Sequence, residues 1–192
     1  MIAILKYDAG NIRSVQNALD RAGYSSVITN DEDELRNAGK VIIPGVGQAA
    51  QAMKYLRKKG LDSVIISLKQ PVLGICLGLQ IMCLSSEEDN TRCLGIFNSR
   101  VRKFPPEGIV PHMGWNNFSL VSGDLLRGIS EADDMYYVHS YYAEICESTT
   151  AICEYLVPFS AAMQRDNFYA TQFHPEKSAG KGELVLKNFL EL

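Results

Sequence analysis

Along the first half of the chain, short apolar runs alternate with stretches in which apolar residues return every three or four positions. The run IAILKY (2–7) reads as a strand, and NIRSVQNALDRAG (11–23) as a helix with Ile12, Val15, Leu19 and Ala22 on one face and Gly23 as its stop. SVIT (26–29) predicts a second strand, DEDELRNAG (31–39) a short helix, and KVIIPG (40–45) a third strand ending at a proline. A helix from about Gln48 to Lys59 carries Ala52, Met53 and Leu56 inward; LDSVIISLK (61–69) forms another; PVLGI (71–75) is apolar enough for a strand buried on both faces. Strands alternating with helices at this spacing predict a parallel sheet with helices on both faces. In such folds ligand chemistry gathers at the carboxyl ends of the strands.

From about Cys93 to Phe173 the pattern changes to short runs rich in Val, Tyr, Phe and Thr, separated by Gly, Pro and Asn. SRVRKF, NNFSLV, MYYVHSYYAEI, TAICEYL, FSAAMQ and NFYATQF read as strands, many antiparallel, that extend or flank the first sheet. GELVLKNFLEL closes the chain as a helix with Leu186, Phe189 and Leu190 inward. Without repeats, low-complexity tracts or a linker, residues 1–192 read as one α/β domain: a mostly parallel central sheet flanked by helices, with added antiparallel strands in the second half.

Composition narrows the partners. A net charge of −3 with dispersed basic residues gives no reason to expect nucleic acid, and RKK at 57–59 reads as a solvated helix end. The amino terminus meets Lys6 and Asp8 too early for a signal peptide, and no window approaches the ~20 apolar residues of a membrane span, so a cytoplasmic protein is expected. Cys76, Cys83, Cys93, Cys146 and Cys153 are odd in number and form no CxxC, which favours neither disulfides nor a metal site. With no Walker-type loop and no GxGxxG, no cofactor is expected.

One cysteine stands apart. Cys76 falls between the strand PVLGI and a helix start at Leu77, Leu79, Gln80, Met82 and Cys83, with Gly74 and Gly78 two residues to either side. Glycines remove side chains where a sharp turn crowds strand against helix, so GICLG resembles a nucleophile elbow with Cys for Ser. A helix N-terminus favours the thiolate, and the N–H of Leu77 faces the place where an oxyanion forms. A tight core turn is the competing reading. Of the three histidines, only His174, in FHPEKS, has a carboxylate within two residues. Proline biases His174 to an extended conformation, and residues two apart in such a segment point the same way, so Glu176 is placed to orient its ring.

GICLGLQ with FHPEKS about a hundred residues on resembles the class I, triad-type glutamine amidotransferases. YDAGNIRSV, PGVG (44–47), PHMGWN (111–116) and YYVHSYY (136–142) are similar to motifs of those members that serve a separate synthase. The resemblance spans essentially the whole chain and implies a flavodoxin-like fold. It implies that Cys76 attacks the glutamine amide to form a thioester, that His174 is acid and base, and that Glu176 orients it. It further implies an oxyanion hole at Val46 and Leu77, and substrate contacts from Gly47, Gln80, Ser140 and Tyr141. The implied partner is a (β/α)₈-barrel cyclase that receives ammonia and makes imidazole glycerol phosphate and an aminoimidazole carboxamide ribotide in histidine biosynthesis, docked on Asn11, His112, Met113 and Trp115. Other readings remain open at this point: an amidotransferase serving a different synthase, such as one that amidinates a surface sugar; a chaperone-like or protease-like cysteine-elbow protein; or a non-catalytic scaffold.

Overall fold

The computed structural model describes residues 1–7 and 10–192; Asp8 and Ala9, within the YDAGNIRSV motif, lie outside the described residues. The strands, in chain order, are β1 Ile2–Leu5, β2 Ser26–Thr29, β3 Lys40–Ile43, β4 Val72–Ile75, β5 Ser85–Ser86, β6 Thr91–Arg92, β7 Arg100–Lys103, β8 His112–Asn116, β9 Leu120–Val121, β10 Met135–His139, β11 Tyr141–Ala143, β12 Thr149–Tyr155, β13 Val157–Arg165 and β14 Phe168–Thr171. The helices are α1 Ile12–Arg21, α2 Glu32–Asn37, α3 Ala49–Lys59, α4 Leu61–Ser67, α5 Leu77–Met82 and α6 Ala179–Glu191.

The main sheet runs β2-β1-β3-β4-β14-β13-β12-β9. Its first five strands are parallel, and the pairings from β14 outward are antiparallel. Alternation along the strands explains their unbroken apolarity. Ala3, Leu5, Val41, Ile43 and Val72 join one core with Leu35, Met53, Leu56, Val64 and Leu79 from α2 to α5. Ile2, Ile4, Ile42, Leu73 and Ile75 join the opposite core with Val15 and Leu19 of α1 and Val185, Leu186 and Phe189 of α6. Both faces are therefore dry, as parallel sheets require.

Details depart from the sequence pattern. Ala22 is exposed at the end of α1, and Ala18 takes the inward place expected of it. MYYVHSYYAEI is not one strand: it breaks at Ser140 and divides between two small sheets, β10 with β8 and β11-β7-β5-β6. PHMGWN supplies strand β8, which its Pro, Gly and single Trp conceal. Only the ends of NNFSLV lie in strands. α6 begins at Ala179, ahead of the apolar period, where Gly182 lies so close to the Pro175 carbonyl that any side chain would collide.

Candidate active site

β4 delivers Cys76 to the carboxyl edge of the sheet at φ 52°, ψ −101°, a conformation costly for a residue with a side chain. The neighbouring glycines make it possible. A Cβ on Gly78 would run into the Ile43 carbonyl, and one on Gly74 would lie 2.8 Å from the Gly78 backbone. The Cys76 N–H donates to Thr171 at 2.7 Å, tying the elbow to β14. The thiol is 5% exposed, with Gln172 Nε2 3.5 Å from Sγ.

His174 follows β14 and is fully buried. Its N–H donates to Tyr136 at 2.9 Å and its carbonyl accepts from Ser178 Oγ at 2.7 Å, so the main chain is held from both sides. Nδ1 is 2.7 Å from Glu176 Oε1. This contact arises differently from expectation: Pro175–Lys177 is a 3₁₀ turn, and the turn, not an extended run, brings the carboxylate back under the ring. Asn11 Nδ2, at the left-handed start of α1, donates to the same Oε1. A carboxylate can only accept, so Nδ1 carries the hydrogen and Nε2 is the free atom. Nε2 is buried without a hydrogen-bond partner. Burial alone disfavours charge on this imidazole, but the adjoining Cys76 and Glu176 outweigh it and push the pKa up to about 10.

Cys76 opens on a cavity of about 280 Å³, near the small end of ligand pockets. Val46, Gly47, Leu77, Gln80, Ser140 and Tyr141, all expected from the sequence, line it. Gln80 is not a surface residue: its Nε2 donates to the Tyr141 carbonyl at 2.9 Å and to Gln172 Oε1 at 3.2 Å. Pro111, Val138, His139 and Glu88 complete the lining and were not anticipated. Among the described lining residues Glu88 supplies the one carboxylate, and its Oε2 also accepts from the N–H of Ala49 at 2.6 Å. Glu88 lies in EEDN, a run of polar residues with no local signal that marks a site. Only its meeting with the start of α3 reveals it.

The PGVG segment is tightly held. Tyr7, whose hydroxyl is kept neutral by burial and by nearby Cys76, donates to the Pro44 carbonyl. The Val46 carbonyl accepts from Gly10 at 3.0 Å, and the Gly45 carbonyl accepts from the N–H of Leu77 at 3.3 Å. Because a trans peptide points its C=O and N–H in opposite directions, the Val46 N–H faces away from Leu77. Of the remaining candidates, Met113 and Trp115 are exposed at 67% and 55%. His112 is not a surface contact: it is 4% exposed and stacks on Tyr155 and Tyr137, with ring centroids 4.0 and 4.9 Å away. Asn11, expected only at an interface, has its amide on Glu176. Among the described residues no cluster of His, Cys, Asp and Glu is arranged to hold a metal.

An α/β sheet carrying an elbow cysteine and a histidine oriented by glutamate defines a triad-type hydrolytic site, and the chain belongs to the class-I glutamine amidotransferase family, which it matches over residues 4–192. Within it, the chain is 55% identical to the imidazole glycerol phosphate synthase subunit HisH of Bacteroides fragilis strain YCH46, over 100% of this chain and 99% of that one. The HisH subunits of Bacteroides thetaiotaomicron and Yersinia pestis are 53% and 43% identical over the same shares. Solved structures share the fold: a putative GMP synthase protein from Thermoplasma acidophilum has a TM-score of 0.78 at 19% identity, covering 100% of this chain and 92% of that one. PurLQS from Thermotoga maritima has a TM-score of 0.71 at 16% identity, covering 99% and 97%.

Proposed function

We propose that this chain is the glutaminase subunit of an imidazole glycerol phosphate synthase, hydrolysing glutamine to glutamate and ammonia at Cys76, His174 and Glu176. The observation that carries the reading is the fixed imidazole: with Nδ1–H locked on Glu176, only Nε2 is left to exchange a proton with the Cys76 thiol. With its pKa raised to about 10, Nε2 holds the proton drawn from the thiol while sulfur bonds to the amide carbon, then gives it to the departing nitrogen, and ammonia leaves a thioester. Water attacks next, losing its proton to Nε2, and the proton returns to sulfur as glutamate departs. Glu88 is placed to pair with the substrate's α-ammonium group, and the main chain at Ser140 and Tyr141 to hold the rest of its head group. The need for a free thiol suits the cytoplasm, and no helix among the described residues is long and apolar enough to cross a membrane.

The oxyanion hole is closed to substrate as it stands, since the Gly45 carbonyl occupies the Leu77 N–H and the Val46 N–H points away. Turning the Gly45–Val46 peptide over frees one donor and adds the other. A (β/α)₈-barrel cyclase docked near Asn11, Met113 and Trp115 would favour that turn and receive the ammonia. The test is glutamate release by the chain alone, with the barrel protein, and with its ribotide acceptor. Turnover is expected to rise by about 10²–10³ for each restored oxyanion donor. Full activity of the isolated chain would defeat the gating. Cys76→Ala is expected to abolish glutamine-dependent turnover while the complex still uses ammonium salts; retained turnover would defeat the nucleophile assignment.

A further inference from the structure

A second pair of histidines lies against the same pocket and takes no part in the chemistry above. His112 of β8 and His139 of β10 are register partners, with Nδ1 of the first 3.0 Å from Nε2 of the second. His139 Nδ1 is 2.8 Å from the Tyr141 carbonyl, and Asn116 Nδ2 is 3.4 Å from His112 Nε2. Chemistry assigns every direction. A carbonyl only accepts, so His139 Nδ1 bears the hydrogen; its bare Nε2 then accepts from His112 Nδ1–H; and the bare His112 Nε2 accepts from the Asn116 amide. Both rings are neutral at pH 7. Burial pushes His112 down to about 4. Burial, helped by His112 and His174 and opposed by the Tyr141 carbonyl, pushes His139 down to about 3.

The two ends of this chain of hydrogen bonds differ. One is Asn116, beside the exposed Trp115 and anchored on the Glu154 carbonyl at 3.1 Å. The other is the Tyr141 carbonyl, which also accepts from Gln80 in the pocket wall. We propose that His112 and His139 are positioning residues whose one-way hydrogen-bond chain fixes the Tyr141 carbonyl and ties the pocket wall to β8, so that a protein docked on Met113 and Trp115 is felt at the pocket. This rests on reading the pocket as the glutamine site. Aromatic packing alone does not account for the pair, since phenylalanine would fill the space between Tyr137 and Tyr155 without aligned donors and acceptors.

The experiment uses the complex with the barrel protein. His112→Phe keeps a ring in the stack and removes both nitrogens. It is expected to raise the KM for glutamine roughly fivefold, the effect of one lost hydrogen bond, with a smaller change in kcat and a weaker response to the partner. His139→Phe should do at least as much, and His139→Asn, which keeps an N–H where Nδ1 stood, should recover part of it. Nitrogen-15 NMR of histidine-labelled protein should show both rings neutral with hydrogen on Nδ1. Unchanged KM and partner response in a folded His112→Phe complex, or an Nε2–H tautomer at either ring, would overturn the proposal. A wild-type complex with the expected tautomers but no glutamine turnover would instead remove the glutamine reading, and the proposal with it.

Discussion

His174 and the His112–His139 pair lie in one small domain and are all but removed from water, yet their electrostatics run in opposite directions. His174 has Cys76 beside it and Glu176 at 2.7 Å, and together they push its pKa up to about 10 against the effect of burial. His112 and His139 have each other and a collar of aromatic rings from Phe104, Tyr137, Tyr155 and Phe159, and are pushed down to about 4 and about 3. Burial acts in the same sense on all three, so burial does not distinguish His174 from the pair. The neighbouring negative charge does. The first arrangement is ready to hold a proton beside the Cys76 sulfur, whereas the second orients without charge.

The contrast is tested most severely by removing His174, and next by removing its charged partner. His174→Ala is expected to lower glutaminase kcat by about 10²–10⁴, the usual cost of losing general acid–base chemistry. Glu176→Gln should cost less and should move His174 toward the neutral pair, which NMR titration would read as a fall in its pKa. Because Glu176 acts through His174, the double variant should be no worse than His174→Ala alone. Independent losses that multiply, or a His174 that still titrates near its wild-type value in Glu176→Gln, would mean the carboxylate works elsewhere.

The same contrast explains what could be read from sequence. His174 declares itself because Glu176 is two residues away, and Cys76 because Gly74 and Gly78 bracket it at the end of an apolar strand. The parallel half was legible for a related reason: unbroken apolar runs and period-3.6 stretches alternate there without ambiguity, and both registers of β1, β3 and β4 are apolar. The second half conceals its pairings, since β8 meets β10 and β7 meets both β11 and β5 across long intervals with no local signature. His112 depends on the first of those meetings, Glu88 on the approach of its turn to the start of α3, and the Asn11–Glu176 bond on the approach of α1 to the turn at Pro175–Lys177. Sequence-distant contacts made them, so local pattern could not show them.

A smaller effect is expected at the pocket, where the proposed role of Glu88 is again that of a carboxylate facing a positive group. Glu88→Gln keeps an acceptor for the Ala49 N–H and removes the charge, so the fold should be spared. The KM for glutamine should rise about tenfold or more, in keeping with loss of a charge-assisted hydrogen bond, while kcat changes less. An analogue lacking the α-amino group should bind wild type and variant alike. Equal KM values for glutamine in the two proteins would remove Glu88 from substrate binding.

The smallest effect leaves catalysis at neutral pH aside and concerns stability. His112 and His139 have folded pKa values of about 4 and about 3, below the ordinary 6.5, so between these limits the unfolded chain binds more protons than the native one. Stability from their burial as neutral rings is therefore present above pH 6.5 and is lost as pH falls toward 4. His174 has the opposite sign: its raised pKa contributes stability present below 6.5 and lost as pH climbs through about 10. The acid limb thus contains the pair and not His174. Replacing one of the pair, His112→Phe, should flatten the dependence of unfolding free energy on pH between 6.5 and 4 by up to about 1.4 kcal/mol per pH unit, one proton's share of the linkage. Carboxylates also titrate in this range, but they are common to both proteins and drop out of the difference. Urea unfolding of wild type and variant at pH 8, 6 and 5 measures it, with any loss of packing appearing as a constant offset. Parallel curves over the whole range would mean that His112 titrates in the native state as it does in the unfolded chain, and the division between the two histidine sites would then not hold.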